Sequence, residues 1–261
     1  MRRTSLILLL LAVLVIAVPI HAEVAASAPR IVAVAAENPD MYNLYTMEID
    51  GKNPVKIYTA DSLILTIYWL SPDGGTVYFQ SDEGIFCVGL DGKNLRPAEF
   101  QGYHPQLSPD GKRVVFARLS FSMDSSSLYL MNLDGTSLNG LTEEKKEIMD
   151  EDPSWSPDGK RIVFTRNHKL WILDLDSKEQ QEVKISDDDL DCYSPRWSKD
   201  GSKIAFIGES GINQDIYLAD LQTGETTAIT DDGSLKRSLL WTPDGTKLAY
   251  SFGNSFEEEK S

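Results

Sequence analysis

The chain writes one ten-residue string four times and a weaker copy once. The four are LSPDGKRVVF (Leu107 to Phe116), WSPDGKRIVF (Trp155 to Phe164), WSKDGSKIAF (Trp197 to Phe206) and WTPDGTKLAY (Trp241 to Tyr250). LSPDGGTVYF, from Leu70 to Phe79, is the weaker one. The turns start at Ser71, Ser108, Ser156, Ser198 and Thr242, a mean spacing of about 43 residues, which is the period of propeller blades. A chain with this repeat is bound to build one supersecondary unit several times and stack the copies.

The turn chemistry is legible. Pro72, Pro109, Pro157 and Pro243 pre-set φ at the second turn position. Gly74, Gly111, Gly159, Gly201 and Gly245 permit the left-handed backbone that closes a hairpin. Each turn is preceded by a short apolar strand ending in Leu or Trp, and followed by an alternating β-branched and aromatic strand such as RIVFTR or KIAFIG. A third strand runs into a second turn, as in SLYLMNLDG and KLWILDLDS, and a weaker fourth follows, as in EVKIS. Four antiparallel strands per unit, with no amphipathic helical period between them, predict an all-β fold, a β-propeller of four-stranded blades. The first unit begins at what reads as a second strand, and the last stops after its second strand. The expectation is therefore a six-bladed lineage with incomplete first and last blades. A five-bladed ring closed by the N- and C-terminal strands is the alternative. Leu70, Leu107, Trp155, Trp197 and Trp241 should pack between neighbouring blades.

The string P-x-W-S-P-D-G-K-x-I-x-F, followed by L-Y-x-M-x-L-D-G, resembles the TolB-like propeller repeat. The resemblance spans residues 30–252. It implies a propeller whose channel face receives peptide partners. The α/β domain that precedes the propeller in TolB has no counterpart before the first strand, and the chain reads as a fragment of a longer frame or as a propeller alone.

Residues 1–22 read as a secretory signal peptide: Arg2 and Arg3, an apolar run from Leu6 to Val18, Pro19, and Ala22 before the cleavage point. An N-terminal membrane anchor is the alternative. The mature chain is expected in the periplasm or secreted, as a monomer, with an acidic tail over 253–261. The 261 residues carry a formal charge of −15, which repels nucleic-acid phosphates and anionic lipid heads and favours a basic partner. Cys87 and Cys192 are too few for a disulfide framework and are expected as unpaired thiols.

Enzyme motifs are incomplete. GESGI, from Gly208 to Ile212, fails the G-x-S-x-G pattern at its last position. SPDGGTVY, from Ser71 to Tyr78, is a near miss to a sialidase box and reads better as the hairpin turn. Three histidines, His21, His104 and His168, cannot build a His-rich metal site. Acidic loops precede three first strands: Asp150, Glu151 and Asp152; Asp187, Asp188, Asp189 and Asp191; Asp231 and Asp232. Within them Asp187, Asp189 and Asp191 are calcium candidates, although the EF-hand pattern is incomplete. No other cofactor is expected.

Three units carry a Pro two residues before the inter-blade Leu or Trp: Pro105, Pro153 and Pro195. The residues before these prolines, His104, Asp152 and Ser194, and those after, Gln106, Ser154 and Arg196, should ring the mouth of the channel. They are the expected partner-binding surface, or they satisfy turn hydrogen bonds. The functional expectation is an exported, non-enzymatic scaffold for a protein or peptide partner, in cell-envelope maintenance as the resemblance implies. The alternatives are a carbohydrate-binding or polymer-degrading propeller and a truncated remnant.

Overall fold

The computed structural model describes residues 30–38, 41–48, 50–60, 63–187, 189–242 and 244–253. Residues 1–22, which read as a signal peptide, Asp188, Pro243 and the residues beyond Gly253 lie outside them. All regular structure among the described residues is strand, in six antiparallel sheets in which each strand pairs with the next along the chain. The first sheet holds β1 (Arg30–Asn38), β2 (Met41–Glu48) and β3 (Val55–Ala60). The second holds β4 (Ile64–Leu70), β5 (Thr76–Ser81), β6 (Gly84–Gly89) and β7 (Arg96–Pro97). The third holds β8 (Tyr103–Leu107), β9 (Arg113–Leu119), β10 (Ser126–Asn132) and β11 (Asn139–Gly140). The fourth holds β12 (Asp150–Trp155), β13 (Arg161–Arg166), β14 (Lys169–Asp174) and β15 (Gln180–Glu182). The fifth holds β16 (Asp191–Trp197), β17 (Lys203–Ser210), β18 (Asn213–Asp220) and β19 (Thr226–Ala228). The sixth holds β20 (Leu235–Trp241) and β21 (Leu248–Gly253), so Gly253 closes a strand and does not open the tail. These sheets are propeller blades, and the short count at each end agrees with the pattern of strands in the sequence.

The described chain falls into two compact units, divided between Gln101 and Gly102. In the first, Val32 and Leu44 of the first sheet pack with Ile67, Val77 and Phe79 of the second. In the second unit the core is likewise shared between consecutive blades. Val115 and Leu128 pack with Trp155 and Phe164, and Val163 and Leu170 with Trp197 and Phe206. The second strand of each four-stranded blade is covered on both faces, which explains its unbroken apolar run: Val114, Val115, Phe116 and Ala117 are all buried.

The repeated turn is a hydrogen-bonded cage. In the fourth blade Gly159 N donates to Ser156 O at 2.9 Å, with Gly159 at φ 68°. Ser156 Oγ donates to Asp158 Oδ1 and accepts from Arg161 N at 2.9 Å, while Asp158 Oδ1 accepts from Lys160 N at 3.0 Å. The same contacts recur around Ser71, Ser108, Ser198 and Thr242. The hydroxyl therefore holds each turn aspartate below the usual carboxylate range, down to about 2 at Asp200 and Asp244.

The expected inter-blade tryptophans are in place. Trp155 Nε1 donates to Gln106 O at 3.1 Å, and Trp241 Nε1 to Arg196 O at 3.2 Å, each reaching back to the preceding blade. Arg113 lies 4.9 Å from the Trp155 ring centroid and Arg161 4.7 Å from that of Trp197. The two cysteines are buried, unpaired thiols.

Candidate functional site

β8, β12 and β16 are the edge strands of their blades, and the prolines sit where a missing N–H removes no ladder bond. Each strand bulges there: pairing slips between Tyr103 and Gln106, between Glu151 and Ser154, and between Tyr193 and Arg196. The residue before a proline is driven out of the right-handed helical region. Here it goes left-handed, at φ 49° for His104, 48° for Asp152 and 48° for Ser194. For residues with a Cβ that conformation costs on the order of 1 kcal/mol each.

The bulges turn the three residues toward one another across consecutive blades. His104 Nδ1 lies 2.8 Å from Asp152 Oδ1, and Ser194 N donates to Asp152 Oδ2 at 2.9 Å. The Asp152 side chain is 14% exposed and that of His104 49%, so the row is anchored at its centre and open at its histidine end. Burial works against the charge on Asp152, but the His104 hydrogen bond and charge, the Ser194 amide and the Arg196 guanidinium outweigh it and hold its carboxyl below the ordinary range. Burial likewise opposes protonation of His104, yet the Asp152 contact and nearby Glu151 prevail and raise its pKa. Tyr103 packs edge-on against the His104 ring, 5.1 Å between centroids. Burial pushes the Tyr103 hydroxyl up to about 12.

The other three expected residues play different parts. Gln106 offers its carbonyl to Trp155, Ser154 is buried, and Arg196 is half-buried with Nη1 donating to Pro195 O at 2.8 Å. His104, Asp152 and Ser194 make up the hydrogen-bonded row, with Arg196 acting on Asp152 through its charge. The order of contacts differs from that of a catalytic triad. The carboxylate stands at the centre, and Ser194 reaches it by its backbone amide, whereas a triad centres on the imidazole and uses the hydroxyl.

The acidic loops are largely neutralised from within. Asp150, fully buried, takes a bidentate contact from Arg166 at 2.7 and 2.8 Å. Asp232 Oδ1 accepts from Lys236 Nζ at 2.6 Å. Asp187 Oδ1 accepts from Asp189 N at 3.0 Å, closing a local turn. Among the described residues no three His, Cys, Asp or Glu side chains converge where a metal could sit. The pairing of Asp150 with Arg166 escaped sequence reasoning. Its only trace is a charged residue at each end of two adjacent strands, which the cross-strand register brings opposite each other. His168, whose ring lies 5.0 Å from that of Tyr193, also escaped it.

Comparison with known proteins places this geometry in context. The family model for the TolB beta propeller domain, PD40, matches residues 23–169, more than half of the chain. The Tol-Pal system protein TolB of Francisella tularensis subsp. tularensis (strain WY96-3418) is 29% identical over 226 residues, covering 82% of this chain and 52% of its own. The protein of the same name from subsp. mediasiatica (strain FSC147) matches to the same extent. The chain thus spans about half the length of the curated relatives it matches. Among solved structures, TolB from Acinetobacter baumannii superposes with a TM-score of 0.65 at 24% identity, covering 84% of this chain and 57% of that one. An oligogalacturonate lyase in complex with manganese gives 0.60 at 16%, covering 83% and 65%. At these identities the solved structures establish a shared fold and nothing further.

Proposed function

The chain belongs to the TolB beta propeller domain family, and from that premise we propose that it is an exported, non-enzymatic scaffold. It binds a protein or peptide at the row His104, Asp152 and Ser194, in the periplasm or outside the cell. Its relatives are named as components of the Tol-Pal system, and an envelope assembly of that kind is the setting the proposal adopts. One observation carries the reading. Three consecutive blades each hold a left-handed, non-glycine residue before a proline, and the three are joined by hydrogen bonds into one row. Backbone strain repeated at equivalent positions is a mark of function. The half-exposed His104 end offers an imidazole to a partner's side chains.

The test is affinity capture from envelope extract with the mature chain, alongside His104→Ala and Asp152→Asn. A protein retained by the parent and lost by both variants, with His104→Ala still melting cooperatively, is the expected result. Retention indifferent to both variants, or depolymerisation of polygalacturonate by the purified chain, would overturn the reading.

A further inference from the structure

At the other end of the first strands, where the repeated turns lie, the fifth blade breaks its own pattern twice. The third and fourth blades carry Pro109 and Pro157 in the turn and Arg113 and Arg161 just after it; the fifth carries Lys199 and Lys203. Both departures line one cleft against the sixth blade, whose walls include Asp200, Leu218, Trp241 and Asp244.

The arginine position matters most. Arg113 covers the Trp155 ring and Arg161 covers the Trp197 ring, and both tryptophans are buried, at 7% and 6% exposure. A guanidinium is planar and weakly hydrated, so it can lie on an indole face and still approach a neighbouring strand. An ammonium is a compact, strongly hydrated point charge and stacks less readily on an indole face. Lys203 turns to Asp220, opposite it on β18, at 2.5 Å. Trp241 nevertheless keeps the orientation of its counterpart: its Nε1 donates to Arg196 O at 3.2 Å, as Trp155 Nε1 does to Gln106 O at 3.1 Å. Trp241 is therefore held as if an arginine covered it, and its face borders an open cleft instead.

Two carboxylates stand beside that face. Asp200 and Asp244 each use Oδ1 within their own turns, for Ser198 and Ser202 and for Thr242 and Thr246. We infer that this cleft is a binding site for an arginine side chain of a basic polypeptide partner. The guanidinium lies over Trp241, where Arg113 and Arg161 lie over their own tryptophans, and meets Asp200 and Asp244 at its edge. The formal charge of −15 draws such a partner in from a distance. This site is separate from the His104 row and does not rest on it.

The test is a titration of the full chain with tri-arginine, followed through the indole N–H resonances, with trilysine as the control. The Trp241 resonance is expected to move while those of Trp155 and Trp197 stay put. Trilysine should bind about fivefold more weakly or worse, since an ammonium stacks less well. Lys203→Arg should fill the cleft from within, raising the melting temperature and abolishing the tri-arginine response. An equal response to trilysine, shifts spread evenly over the three indoles, or undiminished binding by Lys203→Arg would overturn the inference. None of these outcomes bears on partner capture at His104.

Discussion

Asp152 commits both oxygens to other blades, one to an imidazole and one to an amide, and this sets how the row answers pH. The folded pKa of His104 is raised, so its contribution to stability is complete below the ordinary histidine value and is lost as pH rises through the folded one. That of Asp152 is lowered, so its contribution is present above the ordinary carboxylate value and is lost as pH falls through the folded one. The contact is strongest between those limits. A pH titration of the His104 ring protons should give a midpoint above 6.5, and Asp152→Asn should bring it down. A midpoint below 6.5 in the parent would mean that burial outweighs the carboxylate. Backbone strain acts at the same scale. A Cβ on Gly201 would meet nothing closer than 3.6 Å, so Gly201→Val suffers from its φ of 74° rather than from crowding. A melt should show a loss of about 1 kcal/mol or more. Gly245→Val should lose more, because its Cβ would also stand 2.7 Å from the Lys199 Cβ. Equal melts for Gly201→Val and the parent would remove the strain argument.

Turns and strands were the most legible elements, because local chemistry fixes them. Ser, Pro, Asp and Gly each have a separate duty within six residues, and alternation or unbroken apolarity marks the strands that follow. The site was legible in part. The Pro105, Pro153 and Pro195 register pointed to His104, Asp152 and Ser194 as equivalents. Their mutual contact could not be read, because it depends on bulges that rotate each residue by one position. Ser154 and Gln106 were grouped with them by sequence distance alone, and the bulge turns Ser154 inward. The acidic loops are paired in two ways: Arg166, which meets Asp150, comes from the neighbouring strand, and Lys236, which meets Asp232, lies four residues further along the chain. Two outcomes follow for these elements. Removing half of a buried ion pair leaves an uncompensated charge, so Asp150→Ala should cost about 3–5 kcal/mol in denaturant unfolding. A loss below 1 kcal/mol would show that Arg166 finds water instead. The turn aspartates, with pKa values held down to about 2 at Asp200 and Asp244, stabilise the fold above the ordinary carboxylate value. That contribution is lost as pH falls from 3.8 towards 2. Ser198→Ala should flatten part of the acid limb of melting temperature against pH, and an unchanged limb would place acid sensitivity elsewhere.

For the whole molecule, the repeat determines which irregularities carry meaning. Four complete blades use the same cage, so departures from it stand out against an internal control. The row at His104 is shared by three blades, and the cleft at Trp241 lies between the fifth blade and the sixth. A fold of this kind is compatible with many functions, and function has to be argued from such sites. The central claim is that the row receives a partner, and amide hydrogen exchange with the captured partner tests it most directly. Binding is expected to slow exchange in residues 103–107, 150–155 and 191–197, with the Ser194 amide, already bonded to Asp152, among the most protected. Protection confined to other segments, with these three unchanged, would contradict the claim.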